Sequence, residues 1–387
     1  MKKILFVQNG DFAEAYNKFA EGGLETYRDQ RASVDFVAGL APSAKVTTFA
    51  FGGDTPLVKL ASNLFAMSGS RKSFGNQQIS TLFDESEASH LVLRTPDVGF
   101  LREARRRSIP VLPIFADIFC RKGMRGRYRN WKLRRALNQS QSPCFANHSL
   151  NASQSLVEAL RLPKGKIVPW DWTKIPLSGE TKSQVVDSSR PTAFFAGVLS
   201  TDKGVGDCLD AISLLRESGV ILEMSFAGLG ETSVWMEHAE RLGISEQVKF
   251  LGMIPNTEVR SQMHKHDFVV VPSRHSYAEG LPNTIYEGLA SRSALVISDH
   301  PAFAGRLKSN AECFVFTASD PASLSACIKR GIADSELYER LSRNSPTAHD
   351  RLYVGMEWTA LVTAFLDDPT NRNGWVEMNS LEMIGRK

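Results

Sequence analysis

The sequence predicts an α/β protein with parallel sheets, divided into two domains. Three observations lead there. Short runs rich in branched and aromatic residues alternate with segments of helical period, the pattern that lays helices on a parallel sheet. A polar stretch punctuated by Pro and Gly, 168–191, separates one group of such runs from another. The chain of 387 residues, 42% hydrophobic and 23% charged, is long enough for two cores.

In chain order, the first group of expected strands is KILFVQ (3–8), KVTTFAF (45–51), HLVLR (90–94) and VLPIFA (111–116). The second is TAFFAG (192–197), LEMSFAG (222–228), VKFLG (248–252), DFVVVPS (267–273) and ALVISD (294–299). These place a first domain over 1–172, a linker over 173–190 and a second domain over 191–348. The tail after Leu366 shows no clear period, and no internal repeat stands out beyond the loose similarity of the halves.

No apolar run approaches the roughly 18 residues a membrane-spanning helix needs. The apolar ILFV near the start is too short for a signal-peptide core, so the cytoplasm is the expected location. Five cysteines lie far apart without a C-x-x-C pair, which argues against a structural zinc site or a disulfide framework and reads as reduced core thiols. Charge is uneven. Segment 102–135 holds twelve basic and two acidic residues, a formal +10 in a chain whose net charge is +4. With Tyr128 and Trp131 among the arginines, it is either a surface for an anionic membrane or a solvated helix face. No nucleic-acid-binding motif accompanies it.

Open parallel sheets collect ligands at the carboxyl ends of their strands. DFVVVPS is followed by a loop, and Pro282 suits the first position of a helix because its missing N–H has no intrahelical partner there. The amides of Gly280, Leu281 and Asn283 then face an anion, which a helix start favours by roughly 0.3–1 kcal/mol. Glu279 stands before that helix and Glu287 two turns into it, so they can serve different parts of one ligand. Carboxylates accept from vicinal hydroxyls, and a nucleotide sugar offers such hydroxyls on both sides of a diphosphate. The layout recurs at 194–215, where Lys203 follows a strand and precedes a helix; it is either a diphosphate partner or an exposed loop lysine. Gly197, Gly228, Gly252 and Met253 close strands where backbone can approach a nucleotide.

The ordered motifs G-V-L-x-x-x-K-G, A-G-L-G-E, V-K-F-L-G-x-I-P, D-F-V-V-V-P-S and E-G-L-P-x-x-x-x-E resemble the carboxyl-terminal domain of family 4 glycosyltransferases. The resemblance covers about 192–300 closely and the first half more loosely, through EGGLETY with Gly22 and Gly23, and through 145–172. It implies a GT-B fold, two Rossmann-like domains facing across a cleft, with the terminal segment 349–387 supplying a helix near 357–366 that crosses back to the first domain. It implies a retaining, metal-independent transfer from a nucleotide sugar, with no cofactor. Glu287 would hold the ribose, Glu279 the transferred sugar, Lys203 the diphosphate, and the amides from Gly280 to Asn283 the sugar and phosphate. No D-x-D occurs in the chain.

Two departures stand out. Val198 occupies the place of a second diphosphate cation, which Arg274 either replaces or leaves unfilled by pairing with a carboxylate. Ala116 stands where a histidine often lies, followed by Asp117, which either binds an acceptor hydroxyl or caps the next helix. His90, His148 and His275 are further polar candidates. The resulting expectation is a glycosyltransferase acting on a glycan or lipid-linked acceptor in bacterial cell-surface polysaccharide or lipopolysaccharide biosynthesis, cytoplasmic and peripheral to the inner membrane face. The alternatives are a nucleotide-sugar epimerase or sugar phosphorylase of the same architecture, and a non-catalytic nucleotide-sugar or glycan-binding protein.

Overall fold

The computed structural model describes residues 1–71, 74–120, 123–277, 279–354 and 356–385. Arg121 and Lys122 of the basic segment lie outside them, as does Ala278. The chain forms two compact units, Met1–Thr173 with Val354–Lys387, and Lys174–Tyr353.

Among the described residues the first unit holds an eight-stranded sheet. Its strands are β1 (Lys2–Gln8), β2 (Ala44–Phe51), β3 (Val58–Ala61), β4 (Leu64–Gly69), β5 (His90–Leu93), β6 (Val111–Phe115), β7 (Phe145–His148) and β8 (Ile167–Trp170), in the order β3-β4-β2-β1-β5-β6-β7-β8. All pairings are parallel except the β3–β4 hairpin. The central strands read as continuous apolar runs because helices cover both faces, and Ile4, Leu5, Phe6 and Val7 are all buried. The helices are α1 (Phe12–Ala20), α2 (Gln30–Gly39), α3 (Asn76–Ser86), α4 (Val98–Arg106), α5 (Gly123–Gln139) and α6 (Leu150–Leu160). α1 and α2 share one core cluster, and α3 to α6 share another. The β3–β4 hairpin, β7 and β8 lie outside the expected strands. β7 is FANH, too short and polar to show a run, and its buried Asn147 is satisfied by donating to Asp117 O and Ala152 O.

The second unit is a six-stranded, wholly parallel sheet. Its strands are β9 (Thr192–Ala196), β10 (Glu223–Ala227), β11 (Val248–Gly252), β12 (Phe268–Val271), β13 (Ala294–Ser298) and β14 (Phe314–Phe316), ordered β11-β10-β9-β12-β13-β14. α7 (Val205–Glu217), α8 (Ser233–Arg241), α9 (Asn256–Lys265), α10 (Asn283–Ala290), α11 (Pro321–Ala333) and α12 (Ser335–Leu352) accompany it. The polar stretch 174–190 packs into this unit. Lys182 Nζ donates to His266 O and Ser293 Oγ, and Asp267 takes Val186 N.

The chain then returns to the first unit through α13 (Trp358–Asp367), α14 (Trp375–Met378) and α15 (Leu381–Ile384). Asp171 fixes the return by donating its N–H to Met356 O and accepting from Trp358 N, each at 2.9 Å. Trp358, Leu361, Val362 and Phe365 then fill the cluster behind α1 and α2. No helix among the described residues is long and apolar enough to cross a membrane. Of the five cysteines, all free, Cys144, Cys208 and Cys313 are buried, but Cys120 is exposed on the loop before α5 and is no core thiol.

Candidate functional site

Strand order reverses at β9, which pairs with β10 on one side and β12 on the other. Helices after such strands leave in opposite directions, opening a crevice at their carboxyl ends. The loop after β9 carries Lys203 and the loop after β12 carries Glu279, and the two side chains meet there as an ion pair, each only 11% exposed. Lys203 Nζ also sits 4.6 Å from the centre of the Tyr277 ring. Glu279 Oε2 is buried with no hydrogen-bond partner. One carboxylate oxygen therefore holds the ammonium group while the other remains an unfilled acceptor.

The two loops are fastened to each other. Arg274 N donates to Asp202 O at 2.9 Å, and Ser276 Oγ to Asp202 Oδ1 at 2.7 Å. Gly204 has φ +76°, and a Cβ there would lie 2.2 Å from Pro272 O, so glycine alone lets α7 start this close to β12. Gly228 (φ +146°) approaches Gly197 O so closely that a Cβ would lie 1.8 Å from it. Gly197 N bonds Ala227 O and Gly228 N bonds Gly252 O, stepping backbone across the ends of three strands. Val198, Leu229 and Met253 stand exposed along that rim.

Arg274 pairs with a carboxylate in the structure. It forks onto Asp207 in the first turn of α7, at 2.9 and 2.5 Å, and Asp207 is buried. Its guanidinium is held by this carboxylate, which also keeps its proton more firmly than usual. His275 Nε2 lies 2.7 Å from Asp299 Oδ1. His300 takes Ala302 N on Nδ1 and gives its Nε2 proton to Tyr277 O, so it is the neutral tautomer, and burial holds its pKa below the ordinary value. Burial also raises the Tyr277 phenol, with the Glu279 charge adding to it. Asp202, Asp207, Tyr277 and His300 were not singled out from sequence. Asp207, four residues after Lys203, offered the clearest signal, an acid in a helix's first turn.

Pro282 is the N-cap of α10 with extended backbone, and the helix opens at Asn283, one residue later than expected. Thr284 Oγ1 donates to Ala196 O, tying the helix start to the end of β9. Leu281 is buried, and so is Glu287 in the second turn. In the first unit, Gly22 (φ +81°) and Gly23 close α1, their amides bonding Phe19 O and Lys18 O. Asp117 follows β6, too far ahead of Gly123 to cap α5, which removes the capping alternative. Burial raises its carboxyl pKa, and the Arg71 charge partly offsets this. His148 lies 3.3 Å from Asp171 and His90 2.9 Å from Ser89 Oγ.

Residues 180–348 match the family model of glycosyl transferases group 1. A glycogen synthase of Mycobacterium tuberculosis is 27% identical over 172 residues, 44% of this chain and 40% of that relative's length. The lipopolysaccharide core biosynthesis mannosyltransferase LpcC of Rhizobium leguminosarum bv. viciae is 35% identical over 95 residues, 24% of this chain and 26% of its own. The chain thus spans well under half of either relative. The structure of HepE from Anabaena in complex with UDP superposes with a TM-score of 0.67 at 14% identity, covering 95% of this chain and 99% of that one. The fold is therefore GT-B, with a Rossmann-like sheet in each unit.

Proposed function

We propose that this chain is a metal-independent, retaining glycosyltransferase of family 4 that moves a sugar from a nucleotide donor to a glycan or lipid-linked acceptor. The observation that carries this reading is the buried Lys203–Glu279 pair at the strand-order reversal, with Glu279 Oε2 unfilled. The ammonium group supplies the positive charge that a departing diphosphate needs, and the start of α10 adds its dipole. Glu279 Oε2 accepts a hydroxyl of the transferred sugar, and Glu287 holds the ribose. Asp117, in the first unit, accepts from the acceptor hydroxyl. In the transfer the anomeric C–O bond to phosphate breaks and its electrons leave with the nucleoside diphosphate, while the acceptor oxygen takes the carbon on that same face and passes its proton to the departing diphosphate oxygen. The mannosyltransferase's name supports a role in cell-surface polysaccharide or lipopolysaccharide assembly, and the UDP bound to HepE puts UDP-type donors among the first to test. The same reading sets the protein in the cytoplasm, with the basic segment 102–135 against an anionic membrane surface.

A ligand-shift screen over nucleotide sugars, followed by product analysis with candidate acceptors, tests it. Donor turnover with an anomerically retained product is expected; donor binding without any turnover rejects catalysis. One observation favours that second reading, a non-catalytic nucleotide-sugar-binding protein. Val198 is apolar and Arg274 is engaged by Asp207, so Lys203 is the one cation the two loops bring to the diphosphate position among the described residues.

A further inference from the structure

We infer that α5 is a bilayer-docking helix, whose outward stripe enters the headgroup layer of a membrane of anionic phospholipid while its cations pair with lipid phosphates. The inference deepens the membrane part of the reading above and does not depend on glycosyl transfer. α5 carries six cations and no carboxylate, in GMRGRYRNWKLRRALNQ. Its inward face is Asn130, Leu133, Ala136 and Leu137. At 100° per residue Met124, Tyr128, Trp131 and Arg135 fall on the opposite side. The apolar members of that side are exposed: Met124 is 87% exposed, Tyr128 58% and Trp131 52%.

A helix that merely faces water has polar residues at its outermost positions and mixes the signs of its charges. Here Met124, Tyr128 and Trp131 stand on the outward stripe beside Arg135, and the charges on the helix are all positive. Among the described residues none of the α5 cations forms an ion pair. On the neighbouring α3 and α4, Glu103 is taken by Arg106 and Arg107, and Asp84 by Arg107. Tyr128 and Trp131 stack on each other at 6.0 Å and carry Lys132 and Arg135 over their rings, at 4.5 and 5.8 Å. Rings paired and covered in this way are not open platforms for successive bases, which disfavours single-stranded nucleic acid. Amphipathic rings beside long cationic side chains are suited to the headgroup boundary. Trp131 also stands between two grooves, about 640 Å³ against α4 with Arg102 and Arg105, and about 430 Å³ against α6 with Arg127 and Arg134. Each is wide enough for a phosphate headgroup and lined by guanidinium groups.

Co-sedimentation of the intact protein, without nucleotide, with phosphatidylcholine vesicles containing or lacking phosphatidylglycerol tests this. Binding only to the phosphatidylglycerol vesicles, weakening with salt, is expected. Removing Arg105 and Arg135 together (R105Q/R135Q) is expected to weaken it about 25-fold, on roughly five-fold per juxtamembrane cation. Replacing Tyr128 and Trp131 by serine is expected to weaken it at low salt, where every charge is retained. All these side chains but Arg105, which donates to Gln139, lie on the outward stripe, so the variants are expected to fold; circular dichroism and calorimetric nucleotide binding check this, and the latter stands or falls separately from docking. Equal sedimentation of either variant with wild type overturns the inference, as does equal binding to both vesicle types, or capture of RNA in place of vesicles.

Discussion

Lys203 and Glu279 neutralise each other before any ligand arrives, so a diphosphate has to displace a carboxylate to reach the ammonium group. This makes the two substitutions unequal. Lys203→Ala removes charge where it develops on the leaving group, and the turnover rate is expected to fall about 100- to 1,000-fold with a smaller change in donor affinity. Glu279→Gln leaves the lysine unopposed. Affinity for a nucleoside diphosphate alone is expected to rise about five-fold while turnover of the intact donor drops, since the sugar loses its acceptor. Calorimetry with UDP and GDP decides this; weaker binding of both to the Gln variant would show that Glu279 holds the lysine in place instead of competing for it. Glu287→Ala, in contrast, is expected to weaken nucleotide and nucleotide sugar alike. The charge types at 203, 279 and 287 were legible because each follows a strand or opens a helix. Their neighbours were not: Asp207 and Tyr277 act only through contacts between loops about 70 residues apart, which no local pattern encodes.

At the level of elements, apolar runs between turn signals located the strands buried on both faces, and missed those that are short or rimmed by polar residues, as in β7. Glycine positions were legible as strand ends but not as backbone contacts, such as Gly228 against Gly197 O. Buried or half-buried histidines at element ends add a property that sequence did not display. His266 closes α9, with Nδ1 2.7 Å from Gln262 O and Nε2 3.2 Å from Ser225 Oγ; His300 follows β13. Burial lowers the pKa of both, and of His90. Because the folded values lie below the ordinary one of about 6.5, the unfolded chain takes up protons first as pH falls. Their contribution is complete above that value and is lost as pH drops through the folded values. The thermal midpoint is therefore expected to fall between about pH 7.5 and pH 5.5, and His300→Gln to flatten part of that slope. Calorimetric scans across this range check it; an invariant midpoint is incompatible with imidazoles whose pKa is lowered by folding. A separate loss is expected at far lower pH, where Glu87 and Glu103, each held down to about 2 by Lys or Arg partners, take up protons.

The two units differ in how the chain builds them. The second is contiguous, Lys174–Tyr353, and its core runs from Val185 to Leu341 without a residue from elsewhere. The first depends on the return of 354–387, because Trp358, Leu361, Val362 and Phe365 complete the cluster behind α1 and α2. Cutting the chain after Tyr353 leaves the second unit whole and strips eight buried residues of that cluster from the first, these four among them. Losses of about 2–5 kcal/mol per large core side chain exceed the stability of an ordinary domain when four go together. The fragment 1–353 is therefore expected to keep one cooperative transition and lose the other. Since Lys203, Glu279 and Glu287 all lie in the surviving unit, a nucleoside diphosphate at about 100 times its Kd should raise that remaining transition, by about 2.7 kcal/mol of added stability. Calorimetry of the fragment with and without nucleotide reads both expectations at once. A fragment that retains two transitions refutes the dependence on the return, and a single transition indifferent to nucleotide refutes the placement of the donor site in the second unit alone.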